Sequence, residues 1–293
     1  MDHKTEVGEF LVTRRARITP ERAGLPAYGG NRRVPGLRRE EVAMLAGMSV
    51  DYYTRLERGN LGGVSESVLE SLATALQLDE AERAHLFDLA RTANATRRPR
   101  ARKPGQPSVR PTVQRILDAM EGVPAFVRNG RFDVLGANAL GEALYSELYE
   151  DPARPVNHAR FIFLDPRAPR FWDDWDRAAR DTVSFLRSEA GRNPYDRGLT
   201  DLIGELSTRS ELFRTLWASH DVRFHRTGVK TFHHPVVGRI EVAFEAFDLP
   251  ADPGLTMVVY SAEPRSASED ALKLLASWAA TRRATPATAV DRA

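Results

Sequence analysis

The sequence predicts two domains of different class, an all-α domain of five short helices followed by an α+β domain. Three observations carry this. The chain has 293 residues, about twice the commonest domain length, and its 42% hydrophobic content can bury a core in each half. Residues 1–93 show helical periodicity and no strand pattern, whereas from Thr112 aromatics become frequent and short runs alternate apolar with polar residues. Between the two, residues 94–111 hold four prolines (Pro99, Pro104, Pro107, Pro111) and five close cations (Arg97, Arg98, Arg100, Arg102, Lys103), the composition of a basic linker. Its charge has two readings, plain solvation or tracking of phosphates.

Taken in order, the first domain predicts helices over roughly 6–17, 39–46, 50–58, 66–76 and 80–92. Ser65 and Asp79 stand where N-caps belong, and Val68, Leu69, Leu72 and Leu76 recur at helical spacing. The second domain, 112–283, predicts strands over 132–135, 239–245 and 255–260, and helices over 169–190 and 201–218 around a central sheet. A last helix capped by Ser268 places Leu272, Leu275 and Trp278 on one face, and 284–293 reads as a disordered tail.

Composition excludes several classes. With no cysteine there are no disulfides, thiol nucleophiles, iron–sulfur clusters or cysteine-based zinc fingers. No run of about 18 apolar residues occurs and the first residues lack a secretory profile, so a cytoplasmic, nucleoid-associated protein without membrane insertion is expected. Net charge is only +2, but from Arg14 to Arg58 ten arginines face five acids, a local excess that suits a polyanion or a solvated face.

The most specific signal runs from Arg39 to Gly59. Two helices crossing steeply over a three-residue turn need a small residue at the closest approach, here Ala43, and a residue tolerating positive φ in the turn, here Gly47. Val42, Ala46, Met48, Tyr53 and Leu56 take the inward places, Val50, Asp51, Thr54 and Arg55 point outward from the second helix, and Gly59 ends it. Glu57 is expected to pair with Arg14 or Arg15. An ordinary helical hairpin is the alternative to a DNA reader.

The whole 21-residue pattern, with Leu56-Glu57-Arg58-Gly59 at its end, resembles the Xre or lambda-repressor-like DNA-binding family. The resemblance implies that Arg39 braces or touches the DNA backbone and that Ser49, Val50, Asp51, Thr54 and Arg55 lie against the groove, with Tyr52 bordering a phosphate. Asp51 would accept from a cytosine amino group, Val50 or Thr54 would meet a thymine methyl, and Arg55 would fork onto guanine or grip phosphate. Residues 19–37 add a Gly- and Pro-rich loop, including Gly29, Gly30 and Pro35, whose Arg32 and Arg33, with Arg38, are expected along the phosphates. Double-stranded DNA, read as a pseudo-palindromic operator by a homodimer, is the expected partner.

In the second domain no Ser-His-Asp spacing, phosphate loop or paired carboxylates stands out. His220, His225, His233 and His234 suggest a metal site only weakly, and none is expected. Aromatic richness has two readings, a plain core or an apolar cavity with a few polar anchors. The segments Pro124-Ala125-Phe126-Val127, 133–138, 160–166, 186–192, 216–222 and His234-Pro235-Val236-Val237-Gly238 together resemble the MmyB-like regulator ligand-binding domain. The resemblance implies a PAS-like sheet enclosing a hydrophobic pocket for a fatty-acyl or similar small molecule, with no other cofactor and no enzyme activity. The expected lining is Phe126, Asn138, Arg160, Phe163, Trp172, Phe185, Trp217, His220 and Tyr260. Two alternatives stand: a second domain that binds a protein partner, and a DNA-tethered hydrolase using His220 and Asp221. In every case, coupling between the domains is expected through the linker.

Overall fold

A computed structural model describes residues 3–25, 34, 36–94, 108–223 and 226–284. Arg32, Arg33 and most of their loop, the basic linker cluster, His225 and the tail from 285 lie outside the described residues. In chain order the elements are α1 (His3–Arg17), α2 (Arg39–Leu45), α3 (Val50–Glu57), α4 (Glu66–Ala75), α5 (Glu80–Asn94), α6 (Pro111–Ala119), β1 (Ala125–Asn129), β2 (Val134–Ala137), α7 (Ala139–Leu144), α8 (His158–Leu164), α9 (Ala168–Phe171), α10 (Trp175–Arg192), α11 (Arg197–Arg209), α12 (Glu211–Trp217), β3 (Thr227–His234), β4 (Gly238–Asp248), β5 (Leu255–Ser261) and α13 (Ala267–Ala284). The described residues form two compact units. The first gathers those up to 94 with 183–207 and 211–223, and the second takes 108–182, 208–210 and 226–284.

The all-α and α+β classes are both present, and the five expected N-terminal helices form within a few residues of their predicted ends. The expected cap at Ser65 is formed, its Oγ accepting from the Val68 amide at 3.4 Å, and Ser49, not expected as a cap, starts α3 by accepting from the Tyr52 amide at 3.1 Å. Asp79 and Glu82 exchange side-chain-to-backbone hydrogen bonds of 2.8 and 3.1 Å, a capping box that starts α5. The apolar faces of α1 to α5 meet in one core holding Val7, Phe10, Leu11, Val42, Tyr53, Leu56, Leu69 and Leu72.

Val222 joins this same core, a segment the sequence places with the second domain. The reason is visible at Arg187 of α10, a fully buried side chain. It is ion-paired with Glu6 of α1, lies 2.9 Å from His220 Nδ1, and stacks 4.1 Å from the Trp217 ring. A buried guanidinium needs a buried anion and acceptors, and here they come from α1 and α12.

In the second unit β2-β1-β5-β4-β3 form an antiparallel five-stranded sheet. Residues 126 and 128 of β1, 240, 242 and 244 of β4, 258 and 260 of β5, and 228, 230, 232 and 234 of β3 share one face, fixed by the pairs Phe126↔Val258, Phe244↔Tyr260 and Phe232↔Ile240. On the opposite face Ala125, Val127 and Met257 pack against Val113 and Leu117 of α6.

Three boundaries differ from the sequence expectation. The helix expected over 169–190 is broken, because Trp172 turns extended and forms a bridge with Phe232 while Asp174 caps α10 through the Arg177 amide. The helix expected over 201–218 begins earlier, capped by Asp196 on the Leu199 amide, and breaks at Ser210. The last helix is capped by Ser266, which accepts from the Glu269 amide at 3.2 Å, whereas Ser268 accepts from the Glu241 amide of β4.

Candidate nucleic-acid interface and ligand site

The α2–α3 turn depends on Gly47 at φ +63. Gly59, at φ +86, sits so close to α1 that a Cβ would fall 2.1 Å from the Lys4 carbonyl oxygen. The inward residues Val42, Ala43, Ala46, Tyr53 and Leu56 are buried, and Met48 packs at the edge of the core. Facing solvent are Ser49, Val50, Asp51 and Arg55, with Tyr52 and Thr54 half-buried beside them. Arg55 lies 5.5 Å from the Tyr52 ring, a cation–π contact that holds the guanidinium on the outer face of α3.

Glu57 anchors this surface from below. Its carboxylate is buried and accepts from Arg15 Nε at 2.6 Å and the Tyr53 hydroxyl at 3.1 Å, and it is ion-paired with Arg39. Burial pushes its pKa up, but the hydrogen bonds and charges of Arg15 and Arg39 outweigh that and hold it below the usual carboxylate range. The expected Glu57–Arg15 pair is therefore formed, and Arg39 braces α2 against α3 with half its side chain still exposed. Arg14 and Arg17 are committed elsewhere in the unit, to Glu82 and Asp221. Among the described residues, the exposed arginines of the motif and its start are Arg38, Arg39, Arg55 and Arg58.

Within the second unit the inner sheet face carries a continuous group of rings. Tyr145 packs against Phe126, His158, Phe171, Trp172, Phe232 and Tyr260, with centroids 4.5 to 6.3 Å apart. Its hydroxyl hydrogen-bonds that of Tyr260 at 2.6 Å. Lys230 of β3 enters the same group, its ammonium 4.6 Å from the Phe244 centroid and 5.3 Å from that of Trp172. Burial, then the charge of Arg128, push that ammonium down to about 7, with Asp181 opposing. His158 is held neutral by burial and by the charges of Lys230 and Arg128.

The expected lining is divided by this architecture. Phe126, Trp172 and Tyr260 stand in the ring group, while Phe163 is half-buried on α8. Arg160 lines a separate cavity of about 190 Å3 with Asp151, Asp165 and Arg209. Asn138 is an N-cap: Oδ1 accepts from the Ala125 and Gly141 amides at 3.0 and 2.7 Å, and Nδ2 donates to the Met120 and Val123 carbonyls at 2.6 and 2.7 Å. Both its donors and both its lone pairs are used, which leaves no donor for a ligand. Phe185, Trp217 and His220 fall in the first unit, apart from the sheet residues.

Both His220 nitrogens are engaged, Nδ1 by Arg187 and Nε2 at 3.0 Å from Glu9, and Asp221 is ion-paired with Arg17. Among the described residues no group of three or more His, Asp or Glu could hold a metal ion, and no helix is long and apolar enough to cross a membrane. Lys230, Tyr145, His158 and Phe232 were not among the residues expected to line the pocket. The signal for Lys230 was its place two residues before Phe232 in a period-2 run, obscured by the Gly, Thr and His residues around it.

A helix-turn-helix with a solvent-facing second helix, joined in one chain to a separate α+β unit filled with aromatic side chains, defines a DNA-binding transcription regulator with a ligand-sensing domain. A helix-turn-helix domain family matches residues 6–86. The MmyB-like transcription regulator ligand binding domain matches residues 109–275, more than half of the chain, and the chain belongs to that family. Both families are regulator modules rather than enzymes. No curated protein matches the chain.

Proposed function

We propose that this regulator binds a pseudo-palindromic operator as a homodimer, with two copies of α3 in successive major grooves about 34 Å apart. The observation that carries the DNA half is the division of α3, whose Tyr53, Leu56 and Glu57 are buried while Val50, Asp51 and Arg55 face solvent. Arg55 then reads a guanine edge or grips phosphate from its perch over Tyr52. Arg38 and Arg39 at the start of α2, together with Arg32 and Arg33, run along the backbone.

We further propose that the sheet unit acts as a PAS-like receptor for a hydrophobic, fatty-acyl-like molecule. Its support is the ring group on the inner sheet face, an apolar body of side chains with polar atoms inside it. A chain of about fourteen carbons would gain roughly 0.8 kcal/mol per buried methylene before association costs reduce the total. The effector biases the DNA-binding arrangement by its differential affinity for the two states.

Selection of operators from random duplexes, followed by binding of Arg55→Ala, tests the DNA half. Loss of about 1–3 kcal/mol confined to one operator position supports base reading, and uniform loss on all sequences assigns Arg55 to phosphate. If each protomer neutralises about five phosphates, log affinity falls against log salt with a slope near −9 for the dimer, and a flat response refutes the interface. Native mass spectrometry of the purified protein tests the rest. A dimer carrying a few hundred daltons that denaturation releases supports the sensor, and a clean monomer mass refutes both dimer and bound effector.

A further inference from the structure

Apart from the ring group, the second unit holds a cavity of about 190 Å3 whose walls come from residues 148–157, α8 and Arg209, the last residue of α11 and part of the same unit. Its walls combine two kinds of surface. Leu148, Val156 and Phe161 are buried and give an apolar floor, with Leu164 half-buried beside them. Asp151, Arg160, Asp165 and Arg209 supply charges of both signs. Asn157 accepts from the Arg160 amide at 2.9 Å and donates to the Arg131 carbonyl and to Asp133 Oδ1, both at 2.8 Å, which holds the first turn of α8 in place. Arg154 donates to the carbonyls of Tyr149, Asp151 and Ala153, and so is spent on backbone. Asp165 is spent on Arg167, whose hydrogen bonds hold its carboxyl below the ordinary range. Asp151 is not: its Oδ1 accepts from the Ala153 amide at 2.8 Å, and among the described residues its carboxylate meets no cation.

We propose that this cavity binds a small zwitterion, an α-amino acid with an apolar side chain, its ammonium on Asp151, its carboxylate on Arg160 and Arg209, and its side chain against the apolar floor. The site is separate from the ring group and does not depend on the acyl reading. Size excludes a long chain, since 190 Å3 is below the roughly 300–1,000 Å3 of sites for drug-sized ligands and holds about six waters at ~30 Å3 each. In so small a space one molecule meets opposite walls at once. Charge then narrows the choice. A planar guanidinium receives a carboxylate through paired N–H donors, which an amine alone cannot use. A carboxylate alone would in turn set like charge beside Asp151, whereas an ammonium on the same molecule gives Asp151 a counter-charge and three donors. The floor remains for the side chain, whose burial is favourable with each methylene covered.

The test is calorimetric titration of the full-length protein at pH 7 with L-leucine and L-phenylalanine, and with the analogues that lack the amine (isocaproate, hydrocinnamate) or the carboxylate (isoamylamine, phenethylamine). The titrations are repeated on Asp151→Asn and Arg209→Gln, both at exposed positions, so the variants fold; a thermal melt checks this. At least one of the two amino acids should bind about ten-fold or more tightly than either of its analogues, and each substitution should remove most of that margin. An amine-free analogue that binds as tightly as its amino acid overturns the zwitterion, as does an equally tight carboxylate-free one. Binding of neither amino acid overturns the site, and a margin that survives in either variant overturns the role of the residue replaced. None of these outcomes bears on the ring group, whose acyl ligand is tested by native mass spectrometry.

Discussion

Replacing Asn138 by alanine should cost the second unit about 4 kcal/mol. The side chain is 2% exposed and makes four hydrogen bonds, all to backbone: two amides, of Ala125 and Gly141, and two carbonyls, of Met120 and Val123. Removing it strands one amide at the start of the interior strand β1, one at the first turn of α7, and two carbonyls in the segment leading into β1. Each lost bond to a buried group is worth about 1 kcal/mol, and loss of an N-cap alone is worth about the same, so the four together give about 3–5 kcal/mol. Asn138→Asp separates the two halves of the network. It keeps both acceptor bonds but sets a carboxylate against the Met120 and Val123 carbonyls, and should be nearly as damaging as alanine at neutral pH. The assay is urea unfolding followed by tryptophan fluorescence, since Trp172, Trp175 and Trp278 all report on this unit. A loss below about 1 kcal/mol for Asn138→Ala would show that the four bonds do not hold the β1–α7 corner, and would return Asn138 to the candidate ligand contacts.

Two further perturbations probe the first unit. Gly59→Ala combines a left-handed backbone with a Cβ 2.1 Å from the Lys4 carbonyl oxygen, so it should lose more than about 2 kcal/mol, against about 1 kcal/mol for Gly47→Ala, which has a similar φ and open space around it; thermal melts giving the two equal losses would refute the steric account. Burial holds His85 down to about 3 against its ordinary 6.5, with Glu6 opposing and Arg187 assisting. The native state therefore resists a proton that the unfolded chain accepts. Stability is full above pH 6.5 and falls as the pH drops, by about 2 kcal/mol at pH 5. Glu6 is held at about 2 by His220 and Arg187 in spite of its burial, so its contribution is present above pH 4.5 and is lost between there and pH 2. His85→Leu, measured against the parent by urea titration at each pH, should remove the first decline and keep the second; identical pH profiles would count against a neutral buried His85.

Much of the reader was legible in the sequence because its signals are local. A small residue at Ala43, a positive-φ glycine at Gly47, Ser65 and Asp79 as caps and the apolar spacing of Val42, Tyr53 and Leu56 each act within a turn or two of helix, where propensity and capping decide structure. The β4 and β5 strands were legible for a similar reason, since Ile240, Val242 and Phe244 alternate cleanly with polar residues. Strand β3 was not, because Lys230 replaces an apolar residue on its inward face and two histidines and two threonines blur the period.

What the tertiary structure alone decided concerns partners distant in sequence. Glu57 was readable as a partner of Arg15, but not as the shared anchor of Arg39 and Tyr53. Nothing in the run from 186 to 192 announces that Arg187 pairs with Glu6, 181 residues away, or that 183–207 and 211–223 join the unit of the N-terminal helices. Asn138 looked like a polar anchor at the rim of an apolar region, and only the positions of four backbone groups show it to be a cap. The sequence determined which residues are apolar, charged or turn-forming, since those properties belong to single side chains and their near neighbours. Which buried cation finds an anion, as Arg187 does, and which half-buried one, like Lys230, sits among ring faces depends on chain segments brought together from far apart, and that is set by packing.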